Sequence, residues 1–258
     1  MSGRLRVAWL PDGKRLHLRH GAVDAVIQAH GRPRVVGRAY DAAIARAREV
    51  LLDLAGAKLE GMVARRALAA DAAVPHGAGP VAALAGAVAD ELLDAMRVTG
   101  LLDRAFVNNH GAVALHLVEG QSFTAEAIDW PWRPLLAGRL PRAWPGSAQA
   151  LASTGWKSAD GEVDAITVAA GCAAAAAAAV AAIVAAMFPG VGPVQVPQPL
   201  PDGLTPEAAT RALAQGFERA GLLRSGGAVA WVLFSLRGEC RLLGPETMMS
   251  ASALPGAG

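Results

Sequence analysis

The segment from Asp164 to Phe188, which reads DAITVAAGCAAAAAAAVAAIVAAMF, constrains the fold of this chain more than any other. It carries no charge after its first residue, and its length would allow a membrane span, which needs about 20 apolar residues. Alanine dominates it, however, and it lacks the leucine-rich centre, basic flanks and aromatic belts of a membrane helix. Because alanine is the best helix former and a helix apolar on all sides is usually buried, we predict a strand over 165–169, a turn at Gly171 and a buried core helix over 172–187.

The composition limits which classes of protein this chain can belong to. The chain has 258 residues, of which 53% are hydrophobic, so it can bury a large core as one domain over 1–258. A net charge of +2 gives no argument for a nucleic-acid or membrane partner. The N-terminal sequence MSGRLRVAWLPDGK lacks the apolar region of a signal peptide, and two cysteines cannot form a disulfide framework. We therefore expect a cytoplasmic protein.

Periodic patterns along the chain predict an α+β fold in which antiparallel β-meanders pack with Ala-rich helices. The turn 11–13, Pro-Asp-Gly, joins the first two strands, since Pro fixes φ and Gly accepts positive φ. In a helix over 81–96, small residues form one face and Asp90, Glu91 and Asp94 the other. The predicted strands are 4–10, 15–19, 23–29, 105–108, 113–118, 228–236 and 240–243, and the remaining helices are 39–54 and 205–220.

The loop over 74–80, which reads VPHGAGP, leads into helix 81–96 and leaves two interpretations open. A Gly-rich loop before a helix can receive an anion on free backbone N–H groups, aided by the helix dipole. Equally, Gly86 allows a second helix to pack closely against this one.

The sequence Asn108-Asn109-His110-Gly111 connects two predicted strands. Side-chain amides and an imidazole at such a turn can bind a ligand, but Asn and Gly are also ordinary turn residues that tolerate left-handed backbone. His116, inside the second strand, is expected to be a hydrogen-bonded structural histidine, because no His, Cys, Asp and Glu cluster has zinc spacing.

The Trp/Pro-rich segment 130–145 holds three tryptophans among prolines, Trp130, Trp132 and Trp144. They form either an interaction surface, as exposed apolar patches do, or a cover over an open edge of the sheet. The Pro-rich segment 189–206 is expected to be a linker or extended crossing inside the domain, and residues 245–258 a frayed tail.

Six stretches occur in one order along the chain: VARR at 63–66, VAALAGAVADELLDAM at 81–96, FVNNHGAVALHL at 106–117, ASTGW at 152–156, DAITV at 164–168 with the following helix, and the C-terminal hairpin. Together they resemble the UPF0280 family, a divergent branch of the ApbE-like (FAD:protein FMN transferase-like) superfamily. The resemblance implies an ApbE-like fold and, in active members of the superfamily, Mg²⁺-dependent transfer of FMN from FAD to a protein threonine.

The chain departs from the family pattern at residues that matter for chemistry. The acidic end of the family's Asn-Asn-Gly-Gly-Asp turn is replaced by Ala112, and the Asp and Thr that bind Mg²⁺ from one helix face appear as Ala177 and Ala181. Magnesium requires oxygen ligands, which methyl groups do not supply, so we expect no metal site there. The resemblance implies a general acid or base at His110. The ligand contacts that it implies are Asn108, Asn109, His110, Gly111, Ser153, Thr154, Gly155 and Asp164.

Three functions follow as expectations. The first is a repurposed ApbE-like protein, a pseudoenzyme in flavin transfer, that binds a flavin- or pterin-like cofactor or precursor. Relatives in organisms that use tetrahydromethanopterin imply a role in that one-carbon metabolism or in its cofactor biosynthesis. The second is a Mg²⁺-dependent FAD:protein FMN transferase with ligands drawn from Asp160, Glu162 and Asp164. The third is a non-enzymatic subunit that binds a protein partner, or a second copy of itself, through segment 130–145.

Overall fold

The computed structural model describes residues 4–21, 23–55, 61–119, 121–125, 138–141, 150–157, 163–189, 205–236 and 239–244. Over these residues the chain has the expected α+β fold, with five helices and a nine-stranded antiparallel sheet. Trp130, Trp132 and Trp144, the tail 245–258 and most of the Pro-rich segment 189–206 lie outside the described residues.

The nine strands form two meanders, β1 to β5 and β8 to β11. Strand β8 is not among the predicted strands, whereas the turn residues do predict the hairpins β1–β2 and β4–β5. The meanders join through β5 and β8, in a short ladder of three residue pairs from Ala112–Ala152 to Ala114–Ala150. Strands β6 and β7 pair in a separate two-stranded sheet. The strands are β1 Arg6–Trp9, β2 Leu16–His20, β3 Val23–Gly31, β4 Leu102–Asn109, β5 Ala112–Leu117, β6 Ser122–Ala125, β7 Gly138–Pro141, β8 Ala150–Lys157, β9 Val163–Ala170, β10 Trp231–Leu236 and β11 Glu239–Leu243.

Four of the five helices correspond to sequence predictions. Helix α5 begins as its sequence indicates, with Pro206 in the first turn and Thr205 Oγ1 accepting from the Ala208 N–H at 3.2 Å. Helix α2 is not predicted, because its buried side chains are a valine and three alanines, which give little contrast between helix faces. The helices are α1 Pro33–Ala55, α2 Met62–Ala72, α3 Leu84–Arg97, α4 Ala173–Met187 and α5 Pro206–Ser225, with a 3₁₀ turn Pro80–Ala83 before α3.

Helix α4 is the buried core helix that the alanine-rich segment predicts. Eleven of its fifteen residues are buried, and it packs against the sheet and against helices α3 and α5. Its neighbours approach closely, since a Cβ added at Gly216 of α5 would lie 2.7 Å from the Met187 side chain. Within the described residues, no helix combines the length and apolar character needed to cross a membrane.

Helix α3 meets the N-terminus of α4 at Gly86, where an added Cβ would lie 2.1 Å from the carbonyl oxygen of Ala173. Close helix packing, one of the two interpretations of this segment, is therefore confirmed. The expected separation of small and acidic faces is wrong, because Asp90 lies one turn after Gly86 and also contacts α4. Asp90 and Glu91 are both only 7% exposed.

Glu91 is buried because it joins three helices. Its carboxylate accepts from Arg46 of α1 and from Arg66 of α2, each at 2.5 Å, and Arg66 also pairs with Asp94. Two guanidinium groups offset the cost of removing this carboxylate from water. The partners lie on other helices, so the pattern of α3 alone could not indicate the burial.

The nine-stranded sheet has a helix face and an outer face. Successive side chains alternate between the faces, and residues opposite one another in neighbouring strands share a face. Ala112, Ala152 and Val168 belong to the main core under the helices, which defines the helix face. Leu151 and Trp231 belong to a second, smaller core on the outer face.

Candidate functional site

The β4–β5 turn is a two-residue hairpin loop with left-handed backbone at both positions. His110 has φ 50° and Gly111 has φ 85°, the combination typical of a type I′ turn. Oδ1 of Asn108 accepts from the N–H of Gly111 at 3.0 Å, which fixes the turn. The His110 imidazole is exposed and has no hydrogen-bond partner among the described residues. The turn therefore presents an imidazole to solvent from a rigid backbone.

Strand β8 packs directly beside this turn. The Ser153 N–H donates to the carbonyl of Gly111 at 3.1 Å, and a Cβ added at Gly111 would lie 3.0 Å from the Ser153 carbonyl oxygen. On the outer face, the hydroxyl of Ser153 forms a 2.8 Å hydrogen bond with that of Thr167 on β9. The fold thus brings Ser153 next to Asn108, His110 and Gly111, from which it is distant in sequence.

Asn109 lies on the helix face and is fully buried. Its Oδ1 accepts from the Asp24 N–H at 2.9 Å, and its Nδ2 donates to the carbonyl of Ala85 at 3.0 Å. The side-chain amide therefore links β3 to the first turn of α3. Its assignment as a ligand contact stays a prediction.

The remaining predicted contacts lie further along β8 and β9. Thr154 lies on the helix face, opposite Ile166, and is half-buried. The backbone of Gly155 pairs with Ala165, and that of Asp164 pairs with Trp156. Asp164 is three residues from Thr167, or about 10 Å along an extended strand. The fold does not bring Thr154 to the same face as the turn, and the Asp164 side chain lies outside the described part of the chain.

A second polar group lies on the outer face of β2 and β3, beside the turn. Nε2 of His17 lies 2.5 Å from Oδ1 of Asp24, and Nε of Arg19 lies 3.6 Å from Oδ2 of the same carboxylate. His17 and Asn108 share the outer face, with Val26 of β3 between them in one row across three strands. Two strand spacings separate them by about 10 Å.

The sequence patterns do not single out the group of His17, Arg19 and Asp24, although strand alternation indicates that these residues share a face. Both strands are predicted, and the short turn between them places Arg19 opposite Asp24. His17 lies two residues before Arg19 and so shares its face. An Asp opposite an Arg, with a His on the same face, could have been found from strand alternation alone.

Asp90 caps the N-terminus of α4. Its two carboxylate oxygens accept from the N–H groups of Ala173 and Ala174, each at 2.9 Å. Burial raises the pKa of Asp90 above its usual 3.8, while the two N–H groups and nearby Arg66 oppose that rise. Burial, together with the adjacent Asp90, also raises the pKa of the Cys172 thiol. The thiol is therefore a weak nucleophile, and no local signal links Asp90 to a partner 83 residues away.

His116, by contrast, is a structural histidine as expected. Its Nε2 lies 3.1 Å from the carbonyl oxygen of Leu102.

The positions at which the resemblance places magnesium ligands do not fit the ion. Ala177 packs against the main core, and Ala181 is only 7% exposed. Both present methyl groups, whereas Mg²⁺ requires oxygen donors in near-octahedral geometry. Over the described ranges, no three His, Cys, Asp or Glu side chains come together to hold a metal ion. Asp160 and Glu162, the alternative ligands, lie outside those ranges.

Comparison with known proteins places the chain in a family. The model of the family described as AbpE bacteria matches residues 7–242, which is nearly the whole chain, so the protein belongs to that family. The chain has no match among curated proteins.

Proposed function

We propose that this member of the AbpE bacteria family binds a flavin- or pterin-like cofactor or precursor at the β4–β5 turn, and that it does so without magnesium. The observation that carries the proposal is the grouping of Asn108, His110, Gly111 and Ser153 around one rigid turn. The exposed imidazole and the neighbouring Ser153–Thr167 hydroxyl pair offer hydrogen bonds to the polar edge of a flat ring.

The surface beside the turn suits the face of such a ring. Val26 and Phe106 are both half-buried on the outer face of β3 and β4, next to Asn108. An apolar surface flanked by a few polar groups is the usual composition of cofactor sites. In this arrangement His110 would be the general acid or base closest to the ligand.

The proposed independence from magnesium rests on the side chains at the two positions where the resemblance places the metal ligands. With methyl groups at Ala177 and Ala181, the FAD pyrophosphate would lack the metal that neutralises its charge during flavin transfer in active ApbE-like proteins. Placement in UPF0280 and the ApbE-like superfamily, and a setting in tetrahydromethanopterin-linked one-carbon metabolism, are parts of the proposal that rest on the resemblance alone.

The test is titration of purified protein with FMN, FAD and 6-hydroxymethylpterin, with and without Mg²⁺, followed by ligand fluorescence. We expect saturable binding of a flavin or of the pterin that Mg²⁺ does not change. His110→Asn should weaken binding about tenfold, the value of one good hydrogen bond. Asparagine tolerates positive φ and so preserves the turn.

The chain offers a matched control in His76, which is also exposed and also has φ 50° but lies in a different loop. His76→Asn should bind as the wild type does. Flavin binding that requires Mg²⁺ would favour the transferase instead. If the protein binds none of the three compounds, the proposal fails.

A further inference from the structure

The corner of the outer face next to the turn carries an unusual juxtaposition of charge. Arg6 of β1 lies directly opposite Arg19 of β2, and paired residues share a face of the sheet. Like charges directly opposite each other in antiparallel strands are destabilising. Both arginines are exposed, and the neighbouring carboxylate, Asp24, already accepts from His17 at 2.5 Å.

We propose that Arg6 and Arg19 form a subsite for the anionic tail of the bound cofactor, and that its occupant is the phosphate of FMN. The inference rests on the proposed function, because it assigns the ring to the β4–β5 turn. A phosphate between two guanidinium groups would replace their mutual repulsion with charge-assisted hydrogen bonds. Asp24 holds Arg19 at 3.6 Å and so orients it toward the same corner.

The register of the strands sets the distance that the ligand must span between the turn and the arginines. Arg19 of β2 pairs with Asp24 of β3, and the β4–β5 turn follows on the next strand. Arg19 is therefore about 10 Å from the turn, or two strand spacings. The ribityl chain of FMN holds its phosphate away from the ring, so one molecule can occupy the turn and the arginine corner together.

The experiment compares FMN with riboflavin, which has the same ring and chain but no phosphate. We expect the wild type to bind FMN about tenfold more tightly at low salt, since two exposed guanidinium groups contribute modestly. Arg19→Gln and Arg6→Gln should each reduce this preference while leaving riboflavin binding unchanged, which also shows that the variants fold. Raising the salt concentration should reduce the wild-type preference as well.

Arg104 provides the matched control. It lies on the same outer face, four residues from Asn108 along β4, so Arg104→Gln removes an equal charge from the other end of the strand. It should keep the full preference for FMN. A preference that falls equally in this variant indicates a general charge effect and overturns the subsite.

The remaining outcomes separate this inference from the proposed function. Equal wild-type affinity for FMN and riboflavin overturns the subsite and leaves ring binding at the turn intact. Loss of both flavins in Arg19→Gln indicates a structural role and also overturns it. If the wild type binds 6-hydroxymethylpterin but neither flavin, the subsite is refuted and the proposed function stands. If it binds none of these compounds, both proposals are refuted.

Discussion

Replacement of Gly86 by alanine tests how closely α3 and α4 must approach. The added Cβ would lie 2.1 Å from the carbonyl oxygen of Ala173, 2.3 Å from its carbonyl carbon and 2.5 Å from the nitrogen of Ala174. All three are backbone atoms, which cannot rotate away as a side chain can. Ordinary van der Waals contact begins at 3.4 Å, so the two helices would have to separate by about 1 Å in a closely packed interior.

Two effects set the magnitude. Overpacking of a core costs about 1–3 kcal/mol. Separation would also stretch the 2.9 Å hydrogen bonds from Ala173 and Ala174 to Asp90, and each bond to a charged acceptor contributes about 1.5–3 kcal/mol. The better helix propensity of alanine offsets about 1 kcal/mol. We therefore expect Gly86→Ala to lower the free energy of unfolding by about 3–4 kcal/mol.

Equilibrium unfolding in urea, followed by circular dichroism, measures this change. Gly37 of α1 is the matched control, because it is exposed and a Cβ there would meet nothing within 4 Å. Gly37→Ala should raise the free energy of unfolding by about 0.5–1 kcal/mol. If the two alanine variants differ by less than about 0.5 kcal/mol, Gly86 does not constrain the helix contact and the reasoning is refuted.

Three further predictions concern the cap and the turn. Asp90→Ala should lower the free energy of unfolding by at least about 3 kcal/mol, because it leaves two buried N–H groups without their charged acceptor. Asp94→Asn, at a half-exposed residue, should cost less than about 1 kcal/mol in the same urea experiment. Burial raises the pKa of Asp90, so this carboxyl group ionises at a lower pH in the unfolded chain than in the folded protein. As pH rises from 3.8 to the folded-state pKa, the stability advantage of the wild type over Asp90→Ala should therefore shrink. An advantage that grows with pH would contradict this direction. Gly111→Ala should lower the melting temperature, since Gly111 has φ 85° and its Cβ would lie 3.0 Å from the Ser153 carbonyl, and an unchanged melting temperature would contradict the strained turn.

Local signals account for the part of the fold that the sequence predicts. The uncharged alanine run indicates α4 because propensity and burial point the same way, and the turn at 11–13 indicates the first hairpin. The joining of β5 to β8 is different, because more than thirty residues separate the two strands and no local pattern fixes which strands meet. The same limit applies to Asp90, whose acceptor role depends on a helix 83 residues away.

The residues of the candidate site also divide into those that local sequence signals indicate and those that depend on distant strand pairing. Asn108, His110 and Gly111 form a turn whose residue types indicate its backbone, so the sequence identifies them directly. Ser153 enters through the resemblance alone, because its contact with Gly111 depends on the β5–β8 pairing. The sequence patterns do not single out His17, although strand alternation places it on the outer face.

The three-pair ladder between β5 and β8 has a consequence for how the protein opens. Each meander is continuous in sequence and carries its own helices, α1 to α3 with the first and α4 and α5 with the second. Each half can therefore form most of its strand pairs between neighbours in the chain. In the sheet only three residue pairs join the halves, so this ladder should open locally at a lower free energy than the strands within either half, while the α3–α4 contact keeps the helix layers together. Gly111 and Ser153 lie on opposite sides of this boundary. A ligand that contacts both Gly111 and Ser153 would hold β5 and β8 together, so that its binding should slow amide hydrogen exchange along the ladder between these two strands.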